Sequence, residues 1–259
     1  MFGDAMTNAV LAIAVVMVGT WIVSVALKNA SIVDIVWGAG FVVVAWVMQL
    51  TIDGDSTRQW IITSLVTIWG VRLALYLARR NIGHGEDWRY VAMRKRYGRK
   101  FPFVSLVTVF GLQGVVMFLV SLPVQLGHAD PDPGVGPIAV MGLLVWVVGI
   151  VFEAVGDWQL RRFKADASNA GLVMDKGLWS LTRHPNYFGD SCVWWGIGIV
   201  AAEAGTAAWG LIGPLVMTVF LTKVSGVPML ERSLAKRKPG YAEYMARTSA
   251  FFPRPPKQV

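Results

Sequence analysis

Residues 8–27 read Asn8-Ala-Val-Leu-Ala-Ile-Ala-Val-Val-Met-Val-Gly-Thr-Trp-Ile-Val-Ser-Val-Ala-Leu27, a run of 20 without one charged side chain. A helix of about 20 apolar residues crosses the hydrocarbon core of a bilayer, whereas capped helices of soluble domains run about 8 to 20. The run lacks the positive n-region of a signal peptide, so it is expected to stay as a mature membrane helix. Comparable stretches follow at residues 31–51, 59–78, 105–125, 137–160, 187–202 and 207–223. They predict an all-α integral membrane bundle of seven transmembrane helices, with residues 1–259 forming one membrane-embedded domain.

Composition agrees. The chain is 55% hydrophobic and 15% charged with mean hydropathy +0.53, against roughly 25% charged residues in soluble domains. Cys192 is the sole cysteine, which excludes an internal disulfide, and no zinc-like spacing joins it to His84, His128 or His184. No metal is expected.

The net charge of +8 would suggest nucleic acid in a soluble protein, but here the basic residues gather in loops. The expected partner is the bilayer, not nucleic acid. Lys28 follows the first stretch and Asp53 and Asp55 the second, while basic loops at 79–100 and 161–183 alternate with Asp130, Asp132 and Glu203. The tail carries Arg232, Lys236, Arg237 and Lys238. By the positive-inside rule this sets the N-terminus outside and the C-terminus in the cytoplasm, with only Arg58 and Arg72 of the 24 Lys and Arg residues off the cytoplasmic loops. The expected location is the inner membrane of a bacterium. Pro131-Asp132-Pro133-Gly134 reads as a turn, and the segment with Pro253, Pro255 and Pro256 is expected to fray.

Ionisable side chains inside apolar stretches are costly and therefore functional candidates. Asp34, Arg72, Glu153, Asp157 and Asp190 are such residues, all in cytoplasmic halves of their helices. The plainer alternative is interfacial snorkelling or structural ion pairing. Residues four apart share a helical face. Arg72, Tyr76 and Arg80 form one stripe with Trp69 a turn deeper; Glu153, Asp157, Arg161 and Lys164 form a second; Asn186, Asp190 and Trp194 form a third. Stripes facing lipid would be costly, so they are expected to line a water-accessible cavity. Arg80, Arg161, Arg162, Lys164 and Arg183 suit phosphates, and Asp157 suits ribose hydroxyls or an adenine amine. The ligand implied is a polyanion with a planar base. Gly38-Ala39-Gly40 lacks the third glycine and the strand of a dinucleotide fingerprint.

The segment Lys176-Gly177-Leu178-Trp179-Ser180-Leu181-Thr182-Arg183-His184-Pro185-Asn186-Tyr187-Phe188-Gly189-Asp190 resembles the loop and helix start of the steroid 5α-reductase family. Ser31-Ile32-Val33-Asp34-Ile35-Val36-Trp37-Gly38, Trp69-Gly70-Val71-Arg72-Leu73 and Gly85-Glu86-Asp87-Trp88-Arg89-Tyr90 resemble its bacterial branch, long known only as a domain of unknown function. The resemblance implies a membrane-bound reductase that uses NADPH at the cytoplasmic face. Hydride goes to the β-carbon of an enone in a hydrophobic, steroid-like lipid. By resemblance, the first, second and fourth helices hold the substrate and residues 150–250 most of the cofactor. Asp157, Arg161, Lys164, Asn186, Asp190 and Trp194 fall at family cofactor contacts. Arg72, Arg80, Arg183, His184 and Tyr187 join them as candidates, His184 with a structural role in the turn as its alternative. Asp34 matches the glutamate that faces the substrate carbonyl, acting protonated as electrophile. The family's partner tyrosine falls on Trp69, with Tyr76 two turns along, and these are the remaining catalytic candidates. Oligomeric state stays open, with a monomer as the expectation.

Two rivals stand beside this. Arg183-His184-Pro185 and residues 231–244 are also similar to isoprenylcysteine methyltransferases, which use S-adenosylmethionine; that cofactor has no phosphate for the arginines to meet. A non-catalytic lipid transporter or binding protein would use the acids as a proton relay, but no inverted repeat is visible.

Overall fold

In the computed structural model, which describes residues 1–54, 56–130 and 134–257, the run 8–27 lies inside a single helix, α1 (Phe2–Leu27). At 1.5 Å per residue α1 is about 39 Å long, more than the bilayer core. Lys28, in the left-handed conformation, ends it. Then come α2 (Ile32–Thr51), α3 (Thr57–Asn81), α4 (Trp88–Tyr97), α5 (Phe101–Ser105), a π-helical segment (Leu106–Gly111), α6 (Leu112–Val120) and α7 (Leu122–Ala129). The rest comprises α8 (Pro137–Ala165), α9 (Leu178–Leu181), α10 (Pro185–Ala202), a 3₁₀ stretch (Gly205–Leu211), α11 (Ile212–Val219), a second π segment (Phe220–Val224), α12 (Val227–Arg237) and α13 (Tyr241–Arg247). No strand occurs among the described residues.

Among the described residues six helical stretches are long and apolar enough to cross a membrane: Phe2–Leu27, Ile32–Thr51, Thr57–Asn81, Trp88–Val120, Pro137–Ala165 and Ala207–Arg237. Large apolar side chains such as Val15, Leu11 and Leu144 stand exposed on them, a surface that belongs in lipid. The protein is an integral membrane protein. The seventh expected span differs. α10 is helical over 18 residues but is not among the six, because Pro185, Asn186 and Asp190 dilute its apolar half. The stretch expected at 105–125 is also divided, at Ser121 between α6 and α7. Pro123 sits in the first turn of α7, where its missing N–H costs nothing, and it bars α6 from continuing. Residues 131–133 of the expected turn lie outside the described residues.

The chain divides into two compact units, Met1–Val140 with Ile197–Gly213, and Met141–Gly196 with the described residues from Pro214 on. In the first, Ser56 and Gln59 form a capping box that starts α3, with Gln59 N–H donating to Ser56 Oγ at 3.2 Å and Ser56 N–H to Gln59 Oε1 at 2.9 Å. α2 and α3 touch at backbone distance: a Cβ on Gly38 would stand 2.5 Å from the Gly70 carbonyl oxygen, and the reverse holds for Gly70. Small residues make such approach feasible in membranes. Trp37, Phe41 and Trp69 stack edge to face beside this contact. Beyond it is a buried polar seam in which Arg58 pairs with Asp130 and Gln59 Nε2 donates to the His128 carbonyl at 2.9 Å. His128 Nδ1 donates to the Val124 carbonyl at 2.8 Å, and Nε2 lies 3.0 Å from Thr63 Oγ1.

In the second unit glycines recur on facing sides of α8 and α10. A Cβ on Gly149 would stand 2.5 Å from Val193 N, one on Gly189 2.5 Å from Glu153 N, and one on Gly196 2.7 Å from the Gly142 carbonyl. The seven-residue steps 142, 149, 156 and 189, 196 keep these glycines on one stripe. The C-terminal segment does not fray through Lys257. Thr182 Oγ1 donates to the Phe251 carbonyl at 2.9 Å, Arg254 N–H to the Leu181 carbonyl at 2.9 Å, and Lys257 N–H to the Arg247 carbonyl at 2.9 Å. These bonds satisfy a turn that would otherwise leave carbonyls bare.

Candidate functional site

The first unit builds a polar cluster where the N-termini of α2 and α4 meet. Ser31 Oγ accepts the Asp87 N–H at 2.6 Å, and Glu86 Oε1 accepts the Ala30 N–H at 2.8 Å. Glu86 also takes a fork from Arg94, Nε to Oε2 at 3.0 Å and Nη2 to Oε1 at 2.8 Å. Burial works to raise the Glu86 carboxyl, but the bonds from Arg94 and Ala30 outweigh it and hold it below its ordinary range. Asp87 caps α4 by accepting the Arg89 N–H at 2.9 Å. Burial opposes ionisation there too, and the Arg89 side chain overcomes it.

These links deliver two side chains to Asp34. Tyr90, buried, donates its hydroxyl to Asp34 Oδ1 at 3.4 Å, and Arg89 Nη2 reaches Oδ2 at 3.4 Å. The Arg89 guanidinium also lies 5.3 Å from the Tyr90 ring centroid. Asp34 itself keeps 22% side-chain exposure, so a ligand can reach it. Tyr76 carries the Arg72 guanidinium 5.5 Å from its ring centroid. Trp69 is fully buried against Phe41. Arg80 is exposed and donates to Asn81 Oδ1 at 3.0 Å. Sequence reading offers Tyr76 or Trp69 beside Asp34; the structure brings Tyr90 and Arg89 there. Their signal in the sequence is the acidic-aromatic-basic string at residues 86–90, whose spacing from Asp34 assigns it no role.

The second unit holds the other candidates. On α8, Glu153 and Asp157 are buried, and Asn186 Nδ2 donates to Asp157 Oδ1 at 3.2 Å. Asn186 Oδ1 in turn accepts the Tyr187 N–H at 3.1 Å. Asp190 is half-buried and Trp194 fully buried further along α10. Arg161, Arg162 and Lys164 are exposed at the end of α8, with Arg162 over the Trp158 ring.

Arg183, expected at a phosphate, is gripped by the C-terminal tail. Its Nε donates to Glu231 Oε1 at 2.7 Å, and Nη1 donates to the carbonyls of Met245 at 3.0 Å and Thr248 at 2.5 Å. A buried guanidinium demands several acceptors, and the tail supplies them. His184 Nε2 donates to the same Glu231 oxygen at 3.1 Å, and its ring lies parallel to Tyr187, centroids 5.3 Å apart. Nδ1 of His184 is buried without a hydrogen-bond partner among the described residues. Glu231 was missed from sequence because it sits in a basic tail. Among the described residues no group of three or more His, Cys, Asp or Glu has metal-holding geometry.

Fold and clusters together define an integral membrane protein whose polar sites are assembled from helices. The model of the family described as protein of unknown function (DUF1295) matches residues 20–248, and the chain belongs to that family. It is similar to an uncharacterized protein of Schizosaccharomyces pombe, 25% identical over 267 residues that cover 90% of this chain and 75% of that one. It is similar to the cobalt-zinc-cadmium resistance protein CzcN of Cupriavidus metallidurans, 30% identical over 145 residues, 56% of this chain and 63% of that one. A probable O-methyltransferase, ustE of Ustilaginoidea virens, is 32% identical over 101 residues, 39% of this chain and 34% of that one. No solved structure matches the chain significantly.

Proposed function

We propose that this protein is a membrane-bound NADPH-dependent reductase that saturates the double bond of an enone in a steroid-like lipid. The observation that carries the proposal is the convergence of the Tyr90 hydroxyl and the Arg89 guanidinium on Asp34. Hydride arriving at the β-carbon of an enone moves an electron pair onto the carbonyl oxygen, so a donor placed there lowers the barrier. Tyr90 supplies that donor when its hydroxyl, held by Asp34 in the free protein, turns to the carbonyl oxygen, and Arg89 offsets the negative charge that gathers on the enolate oxygen beside Asp34. Proton uptake at the α-carbon completes a balanced reduction, one hydride and one proton per double bond.

The second unit's residues fit the cofactor. Asp157 and Asn186 offer an acceptor and a donor to sugar hydroxyls, and Arg161, Arg162 and Lys164 offer cations to phosphates. His184 brings a buried ring nitrogen in need of a partner. NADPH bound there supplies the hydride. Arg183 acts through Glu231, fixing the His184 ring. In this reading α10 is a seventh crossing, the N-terminus lies outside, and the active site faces the cytoplasm, where NADPH is found. The protein works as a monomer in the inner membrane of a bacterium.

A second reading has one observation behind it, the similarity to a probable O-methyltransferase. One experiment separates the two. The purified protein is titrated with NADPH and with S-adenosylmethionine, then given NADPH with a 3-oxo-Δ4-steroid and followed by loss of nicotinamide absorbance. NADPH binding with steroid-dependent oxidation supports the reductase. S-adenosylmethionine binding without nicotinamide binding replaces it with the methyltransferase.

A further inference from the structure

α1 and α2 enclose an apolar groove of about 410 Å³ in the first unit, walled by Val15, Gly19 and Val23 on one helix and Val36, Ala39 and Val43 on the other. Its one hydroxyl, on Thr20, is already bonded to the Val16 carbonyl at 2.6 Å. The walls therefore present no hydrogen-bonding group, and only a hydrocarbon chain fits without leaving polar atoms bare. Gly19 makes the recess: a Cβ there would meet nothing within 4 Å.

The end of the groove supplies the second half of a ligand. Lys28 closes α1 five residues after Val23, about 7.5 Å along the axis. It is exposed and has no ion pair among the described residues. The acids at this end are engaged otherwise, Glu86 with Arg94 and the Ala30 N–H, Asp87 with Arg89, Asp34 with Arg89 and Tyr90. An uncompensated cation one helical turn and a half past the end of a purely apolar channel matches one amphiphile. We propose that the groove holds an acyl chain of an anionic phospholipid whose phosphate sits at Lys28. The groove lines a different face of α2 from Asp34, so this lipid is a resident of the fold and not the substrate. The proposal stands on the membrane placement of α1 and α2 and is independent of the reductase reading.

Native mass spectrometry of the full chain in mild detergent, supplied with phosphatidylglycerol or phosphatidylcholine, tests it. The wild type should retain one phosphatidylglycerol about fivefold more than phosphatidylcholine, near the attraction of one lysine at a membrane surface. Lys28→Gln should equalise the two lipids. Gly19→Leu and Ala39→Leu, which fill the groove from opposite walls, should release both; their unfolding midpoints show that the fold survives. Equal retention of the two lipids by the wild type overturns the proposal. So does a preference that survives Lys28→Gln, which would move the headgroup to the basic run at Lys95, Arg96, Arg99 and Lys100. Undiminished phosphatidylglycerol retention by either leucine variant overturns the tail site.

Discussion

The Tyr90 hydroxyl stands 3.4 Å from Asp34 Oδ1, joining residues 56 positions apart through the first turns of two helices. The pair makes a donor and an orienting acid at a site that water and a ligand can both reach. In a reductase it is where the carbonyl oxygen of the substrate should rest.

Removing the donor tests that role directly. Tyr90→Phe should lower kcat by about 10² to 10³-fold, the usual cost of one oxyanion donor, with NADPH affinity unchanged. Asp34→Ala should cost a comparable factor. Single-turnover reduction with saturating NADPH is the measurement, and wild-type rates in both variants would remove the pair from the mechanism.

Asn186 holds Asp157 from the start of α10. Asn186→Ala strips that donor from a buried carboxylate, a charged hydrogen bond worth about 1.5 to 3 kcal/mol. NADPH affinity should fall by about tenfold or more while the unfolding midpoint drops modestly. Fluorescence titration of the reduced cofactor reads the first and thermal unfolding the second.

His128 gives the protein a pH-dependent stability of defined sign. Burial pushes its pKa down to about 4 from the ordinary 6.5, against the smaller opposing effect of the Val124 carbonyl. The unfolded chain therefore binds the proton more readily. Stability from this group is complete above about pH 6.5 and is lost as pH falls towards 4, by up to about 3 kcal/mol. Unfolding midpoints across that interval should decline in the wild type, and His128→Gln should flatten the decline.

The backbone contact of α8 and α10 makes Gly189 intolerant. A Cβ there would lie 2.5 Å from Glu153 N and 2.6 Å from the Gly149 carbonyl oxygen. Both neighbours are main chain and cannot rotate away, so Gly189→Ala should cost about 1 to 3 kcal/mol or more. Gly19→Ala, with open space around its Cβ, should be close to neutral. Thermal unfolding of the two variants in one detergent makes the comparison.

The membrane class was readable from residues 8–27 alone, because 20 uncharged apolar residues leave a helix in lipid as the one state that satisfies every backbone group. Asp34 and Asp157 were readable as candidates for the same reason, since a carboxylate inside such a stretch needs a purpose. The seven-residue glycine steps at 142, 149 and 156 carried the α8–α10 contact in plain view, and Pro123 announced the division at Ser121. Both signals are local, and both were available before any coordinates.

Partners were a different matter. Nothing in the spacing of Asp34 and Tyr90 connects them; the bonds between Ala30 and Glu86 and between Asp87 and Ser31 do, each closing a loop of 56 residues. Arg183 likewise reads along the chain as a ligand-binding cation, and only the fold brings the tail's Glu231 and two carbonyls to it. Sequence by itself determined which residues must lie in lipid and which charges needed an explanation, because hydrophobicity and helical period act along the chain. Tertiary structure alone decided which charge meets which, because hydrogen bonds are short and directional and the chain that joins their ends is long.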